Sequence, residues 1–421
     1  MQNAFLPADI LVPREEYIKR WAVIACDQYT SEPEYWRETE SLTENHRSAL
    51  SLILPEIYLQ SPDVDDKIKR INRCMEEYLN NGTFDEYKNS YIYIERTQSD
   101  GKLRCGLVGM IDLEQYDYSK GSVSPVRATE ATITERIPPR IKIRENASLE
   151  LPHIMILIDD ESKTVIEPIG NDRQNMKLLY DTELIQGGGS IKGWLVSDKR
   201  AAEIGDALSA LGNKETYEKK YGLSSDNPLV FAMGDGNHSL ATAKAYYERL
   251  KAENPGKDLS RHPARYALAE IVNLHSEALE FEAIHRIITD TDADKLFEAM
   301  SDELQLSTVF DSEKQHFEFV TPDGSVTYYI DAPTSSLAVG SVQNFLDKYL
   351  KENGGGIDYI HGTDTLKRLV AEKNAVGFIL PDISKSELFP TVMQDGALPR
   401  KTFSMGHAAD KRYYMEARKI K

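Results

Sequence analysis

The chain is poor in cysteine: Cys26, Cys74 and Cys105 are all it has in 421 residues, far apart and odd in number. They can build no disulfide framework, and without a CxxC pair they supply no zinc site, so free thiols in a reducing compartment are expected. Long apolar runs are missing too; none approaches the roughly 20 residues that a membrane span needs. The opening MQNAFLPADILVPREEY lacks the basic start and apolar stretch of a signal peptide. A cytoplasmic protein is therefore expected. Positive charge is in deficit, 50 Lys and Arg against 68 Asp and Glu, for a net −18. Such a field repels phosphate backbones and anionic lipid, which weighs against nucleic-acid and membrane partners. Small anions can still bind where a local cationic cluster overrides the mean. No HExxH, EF-hand loop, Walker A loop or GxSxG elbow occurs, so no dedicated metal site, P-loop or α/β-hydrolase is expected.

What is present is a globular composition, 41% apolar and 28% charged, on a chain long enough for two or three domains. Trp21–Cys26 reads as a short buried strand, and Ser61-Pro62 opens a helix reaching about Tyr78. Ser90–Arg96 and Leu103–Leu113 flank Ser99-Asp100-Gly101 as an antiparallel hairpin, and Phe317–Val320 with Val326–Ile330 form another across Asp323-Gly324. Leu151–Ile158 and Ile191–Val196 read as strands, while Tyr266–Leu274 fits helix or strand. Leu366–Lys373 and Ala375–Leu380 give a helix and strand in a smaller C-terminal α/β unit. Strands and helices alternate, with several hairpins, which predicts a mixed-sheet α/β or α+β fold. The expected division is 1–290 for a main domain and 291–421 for the smaller one.

The most informative segment is a strand–turn–helix from Leu229 to Glu253. Leu229–Met233 is an apolar run of strand length, and Gly234-Asp235-Gly236 allows a sharp reversal. Leu240, Ala243, Tyr247 and Leu250 recur at helical spacing, with Asp235 or Asn237 as the expected N-cap and Asn254-Pro255-Gly256 as the stop. A glycine turn opening a helix points unpaired N–H groups outward at the positive end of the dipole, a geometry that binds phosphate or carboxylate. Asp235 and His238 add a carboxylate and a titratable imidazole at the same rim. The spacing Gly234-x-Gly236-x-x-Ser239 is one residue short of a dinucleotide fingerprint, and no acidic residue ends an obvious next strand. A plain capped helix remains the competing reading of the turn.

Elsewhere, Arg127, Arg136, Arg140, Lys142 and Arg144 face only Glu130 and Glu135 in their stretch of chain. They form either an anion-binding wall or a solvated loop with surface ion pairs. Arg400-Lys401 could close on a phosphate or be a surface pair. His285-Arg286 could sit at a strand end or be hydrogen-bonded structurally, and His361 could cap the helix beyond it.

Phe231-Ala-Met-Gly-Asp-Gly-Asn-His-Ser239 resembles the Ala-Asp-Gly-His-His-Arg signature of a bacterial family, domain of unknown function 1015. The stretch Trp21–Trp36, with Cys26-Asp27 and Tyr29, resembles its Pro-Pro-Tyr-Asp-Val segment. Asn45-His46-Arg47-Ser48 and Pro55-Glu56 resemble its Asn-Pro-Arg-Ser and Arg-Pro-Glu elements. Pro125-Val-Arg127-Ala-Thr-Glu130 is similar to Arg-Pro-His-Glu-Lys-Thr, Ile284-His285-Arg286 to Thr-His-Arg, and Leu398–Thr402 to Met-Pro-Arg-Lys-Ser-Thr. The pieces occur in order along nearly the whole chain. Two positions depart: Asn237 stands where the family has its first histidine, and Ser239 where it has arginine.

The turn is also similar to one in the ParB-like and sulfiredoxin-like superfamily, whose members bind nucleotides at a comparable helix start and one branch of which phosphorylates free serine. This resemblance implies a ParB/sulfiredoxin-like strand-turn-helix core and a nucleotide, with magnesium, as ligand. It yields three readings. One is a phosphotransferase for serine or a similar hydroxylated metabolite. There Asp235, His238 and Glu130 do the chemistry, while Gly234, Gly236, Asn237, Ser239, Arg127, His285, Arg286, Arg400 and Lys401 hold the ligand. The second is a nucleotide- or metabolite-binding protein without catalysis. The third, a nucleic-acid-associated protein, has the net charge against it.

Overall fold

The computed structural model describes residues 3–151 and 153–421. The chain divides into two compact units, one made of residues up to Leu279 together with His407–Lys421, the other of Glu280–Gly406. The sequence places the dividing line at 290/291 and leaves the C-terminal segment in the smaller unit. The structure instead returns that segment to the first unit, where Arg418 pairs with Glu150 and Leu11 bridges Ala417.

The first unit is organised by a mixed sheet. Its strands are Ile92–Thr97 (β1), Leu103–Asp112 (β2), Val126–Arg127 (β3), Met155–Ile158 (β4), Lys177–Glu183 (β5), Ser190–Leu195 (β6), Phe231–Asp235 (β7) and Tyr266–Asn273 (β8). The order across the sheet is β5-β6-β1-β2-β8-β4-β7-β3, then Tyr116–Asp117, with Phe5–Leu6 pairing β2. The expected hairpin forms, Ile92 facing Val108 and Thr97 facing Leu103. Pro152, inside the strand expected from Leu151, lies outside the described residues, as do Met1 and Gln2 of the opening stretch.

The ambiguous run Tyr266–Leu274 becomes strand β8 because it has a partner on each side, antiparallel β2 and parallel β4. Strand alternation sends Ala267, Ala269 and Ile271 into the core on one face and Leu268 into the core on the other. On that second face Glu270 is buried at 1% exposure. A Cβ at Gly106, facing β8 from β2, would come within 2.3 Å of its carboxylate, so glycine is what leaves the acid its room.

Trp21–Cys26, expected as a strand, is instead an extended segment held by the C-terminal tail. Ile24 bridges Tyr413, the Ala25 amide donates to the Arg412 carbonyl at 3.0 Å, and the Tyr414 amide donates to the Val23 carbonyl at 2.9 Å. Against the sheet lie the helices Val64–Asn80 (α1), Ile137–Arg144 (α2) and Asn237–Glu253 (α3).

The second unit has its own sheet. Phe281–Thr289 (β9), His316–Thr321 (β10), Gly324–Ile330 (β11), Gly356–His361 (β12) and Val376–Ile379 (β13) lie in the order β11-β10-β13-β9-β12. Helices Ala338–Asn353 (α4) and Thr363–Lys373 (α5) belong to it, and Ile287, Val320, Leu366 and Val370 form a small core there. The hairpin across Asp323-Gly324 forms as β10–β11. Both units together make a mixed-sheet α+β protein. Among the described residues no helix is long and apolar enough to cross a membrane.

The tail is fastened by buried charge. Arg412 donates to Glu270 at 2.8 Å and to Glu416 at 2.6 Å, all three nearly inaccessible to water. Burial drives the Glu270 carboxyl upward, but Arg104 and then Arg412 outweigh it and hold its pKa below the ordinary value. Removing one partner leaves a buried charge uncompensated. Arg412→Ala is thus expected to cost about 3–5 kcal/mol in urea unfolding, whereas a loss below about 1 kcal/mol would show the network to be dispensable.

Candidate functional site

Strand β7 ends at Asp235, and Gly236 turns the chain with φ 78° and ψ 26°, the left-handed region that glycine enters without strain. The N-cap is therefore Gly236, not Asp235 or Asn237 as the side chains suggest. A Cβ there would also lie 3.0 Å from the Ile154 Cα. The Asp235 carboxylate accepts the Gly236 N–H at 2.9 Å with one oxygen and pairs with Lys411 at 3.2 Å through the other. Gly234 stays in the strand, carrying it past Ile154–Met155 to the turn.

From Gly236 the 17-residue helix α3 runs, packed by Leu240, Ala241, Ala243, Tyr246 and Tyr247. Its first internal bond is from the Leu240 amide to the Gly236 carbonyl. The amides of Asn237, His238 and Ser239 come before that bond and have no acceptor among the described residues. This is the intrinsic deficit of a helix start, and it aims three donors and the dipole's positive end at one spot. The side chains at that spot are unpaired as well: Asn237 Oδ1 and His238 Nε2 are buried without a hydrogen-bond partner. Burial, then repulsion from Arg140 and Arg136, push the His238 pKa down to about 4, against the pull of Asp27. The imidazole is neutral near pH 7 and can accept a proton.

A second polar group gathers beside the turn. His153 pairs through Nε2 with Asp27 at 3.4 Å, and its Nδ1 meets the Tyr414 hydroxyl at 2.7 Å. The same hydroxyl accepts the Cys26 amide at 3.1 Å. Burial alone would discharge His153; Asp27, then Cys26, outweigh it and keep the imidazole protonated well above its ordinary range. Desolvation would raise the Asp27 carboxyl, but the pull of His153, then the Gln28 amide and Lys411, outweighs it and holds Asp27 below the usual carboxylate range. The tail thus delivers both Lys411 and Tyr414 to the site.

The cationic stretch around α2 is largely spent in ion pairs. Arg140 binds Glu56, Lys142 binds Asp65, and Arg144 reaches Glu150 at 2.6 Å. Arg136 is exposed. Arg127 is buried and donates to the carbonyls of Ser124 at 2.7 Å and Asn227 at 3.1 Å. It pairs with Ala232 and reaches back toward the start of β7, the end away from Asp235. Glu130 follows Thr129, whose hydroxyl donates to the Met233 carbonyl at 2.7 Å, so the acid lies alongside the last residues of β7.

His285, Arg286, Arg400 and Lys401 belong to the second unit. There Arg286 is fully buried, donating to Gln343 at 3.0 Å and to the Arg400 carbonyl at 3.2 Å, over the Tyr359 ring. His285 accepts the Leu380 amide at 3.3 Å. Arg400 lies over the same ring as Arg286 and 3.6 Å from Asp347, and Lys401 takes a left-handed φ of 58°. Among the described residues no three His, Cys, Asp or Glu side chains are grouped to hold a metal ion.

The sequence reading missed Asp27, His153, Lys411 and Tyr414 as site residues. Two signals point to that cluster: Cys26-Asp27, in the segment that resembles the family's Pro-Pro-Tyr-Asp-Val element, and His153, a lone histidine in an otherwise apolar run.

The depressed His238 pKa has a measurable consequence. The unfolded imidazole takes its proton near pH 6.5 and the folded one near pH 4, so between these values the unfolded state binds more protons. Stability therefore falls as pH is lowered through that window. In urea titrations at a series of pH values, His238→Asn should show a shallower fall between pH 6.5 and 4 than the parent. Parallel curves would contradict the assignment.

Comparison with solved structures gives weak likeness at low identity. A free serine kinase in complex with AMP is 12% identical, with a TM-score of 0.38, covering 72% of this chain and 89% of that one. A conserved hypothetical protein from Pyrococcus furiosus is 11% identical at a TM-score of 0.35, covering 70% and 89%. SbnI with a C-terminal truncation, from Staphylococcus aureus, is 10% identical at 0.37, covering 71% and 82%. Likenesses of this degree carry no argument about fold or chemistry. No curated protein matches the chain. Residues 6–349 match the family described as protein of unknown function (DUF1015), and the chain belongs to that family.

Proposed function

We propose that the first unit binds the phosphate of a nucleotide or of a small phosphorylated metabolite at the start of α3. The observation that carries this reading is the convergence of three acceptor-less amides, at Asn237, His238 and Ser239, on the positive end of a helix. Exposed Arg136 adds positive charge near the His238 imidazole, in a chain that is otherwise acidic. The reading is confined to the first unit.

The same geometry supports phosphoryl transfer to a hydroxylated metabolite such as serine. With a nucleoside triphosphate as donor, the hydroxyl oxygen would bond the γ-phosphorus and the nucleoside diphosphate would leave; His238, neutral above about pH 4, would take the hydroxyl proton while the amides hold the phosphoryl oxygens. A magnesium ion arriving with a nucleotide would be served by Asp235, and Glu130 is the further acid at that end of β7. A specific observation favours the second reading, binding without turnover: Asp235 is already committed to Lys411 and the Gly236 amide.

Titration calorimetry with inorganic phosphate and with ATP tests the site. Gly236→Ala, which disturbs the turn, should weaken binding about tenfold, or about 1.4 kcal/mol. Absence of binding by both ligands in the parent would end the proposal. Asp235→Asn separates the two readings: it should abolish turnover if transfer occurs, and leave affinity within a few-fold if the protein only binds.

A further inference from the structure

In the first unit an open chamber has Leu52, Leu54, Leu59, Met75 and Ile143 on its apolar side. The charged residues in its wall are Arg140, Arg144 and His153 against Glu56 and Glu150. Two of the three cations have a carboxylate to themselves: Arg140 pairs with Glu56, and His153 with Asp27. Arg144 does not. Its one carboxylate partner among the described residues is Glu150, at 2.6 Å, and Glu150 is also the one partner of Arg418, at 2.8 Å. The Leu268 amide takes a further place on the oxygen that Arg418 holds. One carboxylate thus serves two guanidinium groups. Arg140, Arg144, Arg418 and His153 stand against Glu56, Glu150 and Asp27, which leaves one positive charge in excess.

That excess coincides with an unmet donor. Arg144 Nε is buried without a hydrogen-bond partner, on a side chain that is 13% exposed. A buried donor left without an acceptor is costly, and more so on a charged group. The wall therefore lacks one negative charge and one acceptor at the same place. A carboxylate supplies both, since it carries a single charge and two oxygens in the plane that a guanidinium edge matches. A neutral ligand brings no charge, and a phosphate dianion would turn the excess of one into a deficit of one. The chamber is open to solvent, so its size does not restrict the ligand. Selection comes from charge at Arg144 and from apolar contact along the wall.

From the shared Glu150 and the unmet Arg144 Nε we infer that the chamber binds a monocarboxylate with an apolar body. The carboxylate sits on Arg144, and the body lies against Leu54, Leu59 and Met75. This site goes beyond the phosphate site at the start of α3 and does not depend on it. Arg144 selects the head group, and the apolar residues select the body.

Titration calorimetry on the full chain near pH 7, with isovalerate, isovaleramide and acetate, tests the inference. Isovalerate should bind at least about tenfold more tightly than isovaleramide, which keeps the body and lacks the charge. It should exceed acetate, which keeps the charge and lacks the body, by a similar factor. Leu59 is half-buried at the wall, so a change there alters the chamber's charge without emptying the core. Leu59→Glu cancels the excess charge and should weaken isovalerate at least about tenfold, whereas Leu59→Gln should leave it within a few-fold. If the glutamate variant does not fold, Arg144→Gln should remove the preference for isovalerate over isovaleramide. Equal binding of isovalerate and isovaleramide, or of isovalerate and acetate, overturns the inference. So does a folded Leu59→Glu variant that binds isovalerate as the parent does, or binding by none of the three. None of these outcomes bears on the phosphate site, which inorganic phosphate and ATP test separately.

Discussion

The arrangement depends on a buried ion pair, Arg412 with Glu270. It joins the C-terminal tail to the middle strand of the main sheet, at a point where neither charge could be tolerated alone. Once Arg412 is fixed, its neighbours have little freedom. Lys411 falls beside Asp235 at the glycine turn, and Tyr414 falls between His153 and the Cys26 amide. The energetic anchor and the working groups are thus adjacent residues on one strap. Gly106 belongs to the same device, since its missing side chain is the space that Glu270 occupies.

The site combines two opposite solutions to burying a histidine. His153 has a carboxylate partner and keeps its proton; His238 has Arg136 and Arg140 as neighbours and gives its proton up. Asp27 acts on both, directly on the first and at longer range on the second. One imidazole is therefore a fixed cation that orders its surroundings, and the other is a free base at the rim of the helix start. Pairs of titratable groups pushed apart in this way are the usual basis for assigning acid and base roles.

Local patterns were legible in the sequence where local physics decides the outcome. The strand, glycine reversal and helix from Leu229 to Glu253 follow from spacing and from the turn residues, and the two hairpins follow from alternation about Gly101 and Gly324. At the cap, side-chain preference points to Asp235 or Asn237, whereas the left-handed backbone at Gly236 sets the boundary. The tail was not legible. Arg412, Glu416 and Arg418 look like surface charge, and only their partners at Glu270 and Glu150, far away in sequence, make their burial tolerable. For the same reason sequence order alone leaves the tail with the smaller unit, whereas its contacts place it in the first. Arg127 illustrates the converse, an arginine expected to face an anion whose donors are taken by main-chain carbonyls.

The central claim is that the first three amides of α3 are a phosphate site. A crystal structure of the protein soaked with a panel of phosphate, AMP and phenyl phosphate tests it most directly. The account predicts phosphate oxygens at hydrogen-bond distance, about 3 Å, from the amides of Asn237, His238 and Ser239. A phosphate bound elsewhere, with the turn closed by the protein's own side chains, would contradict it.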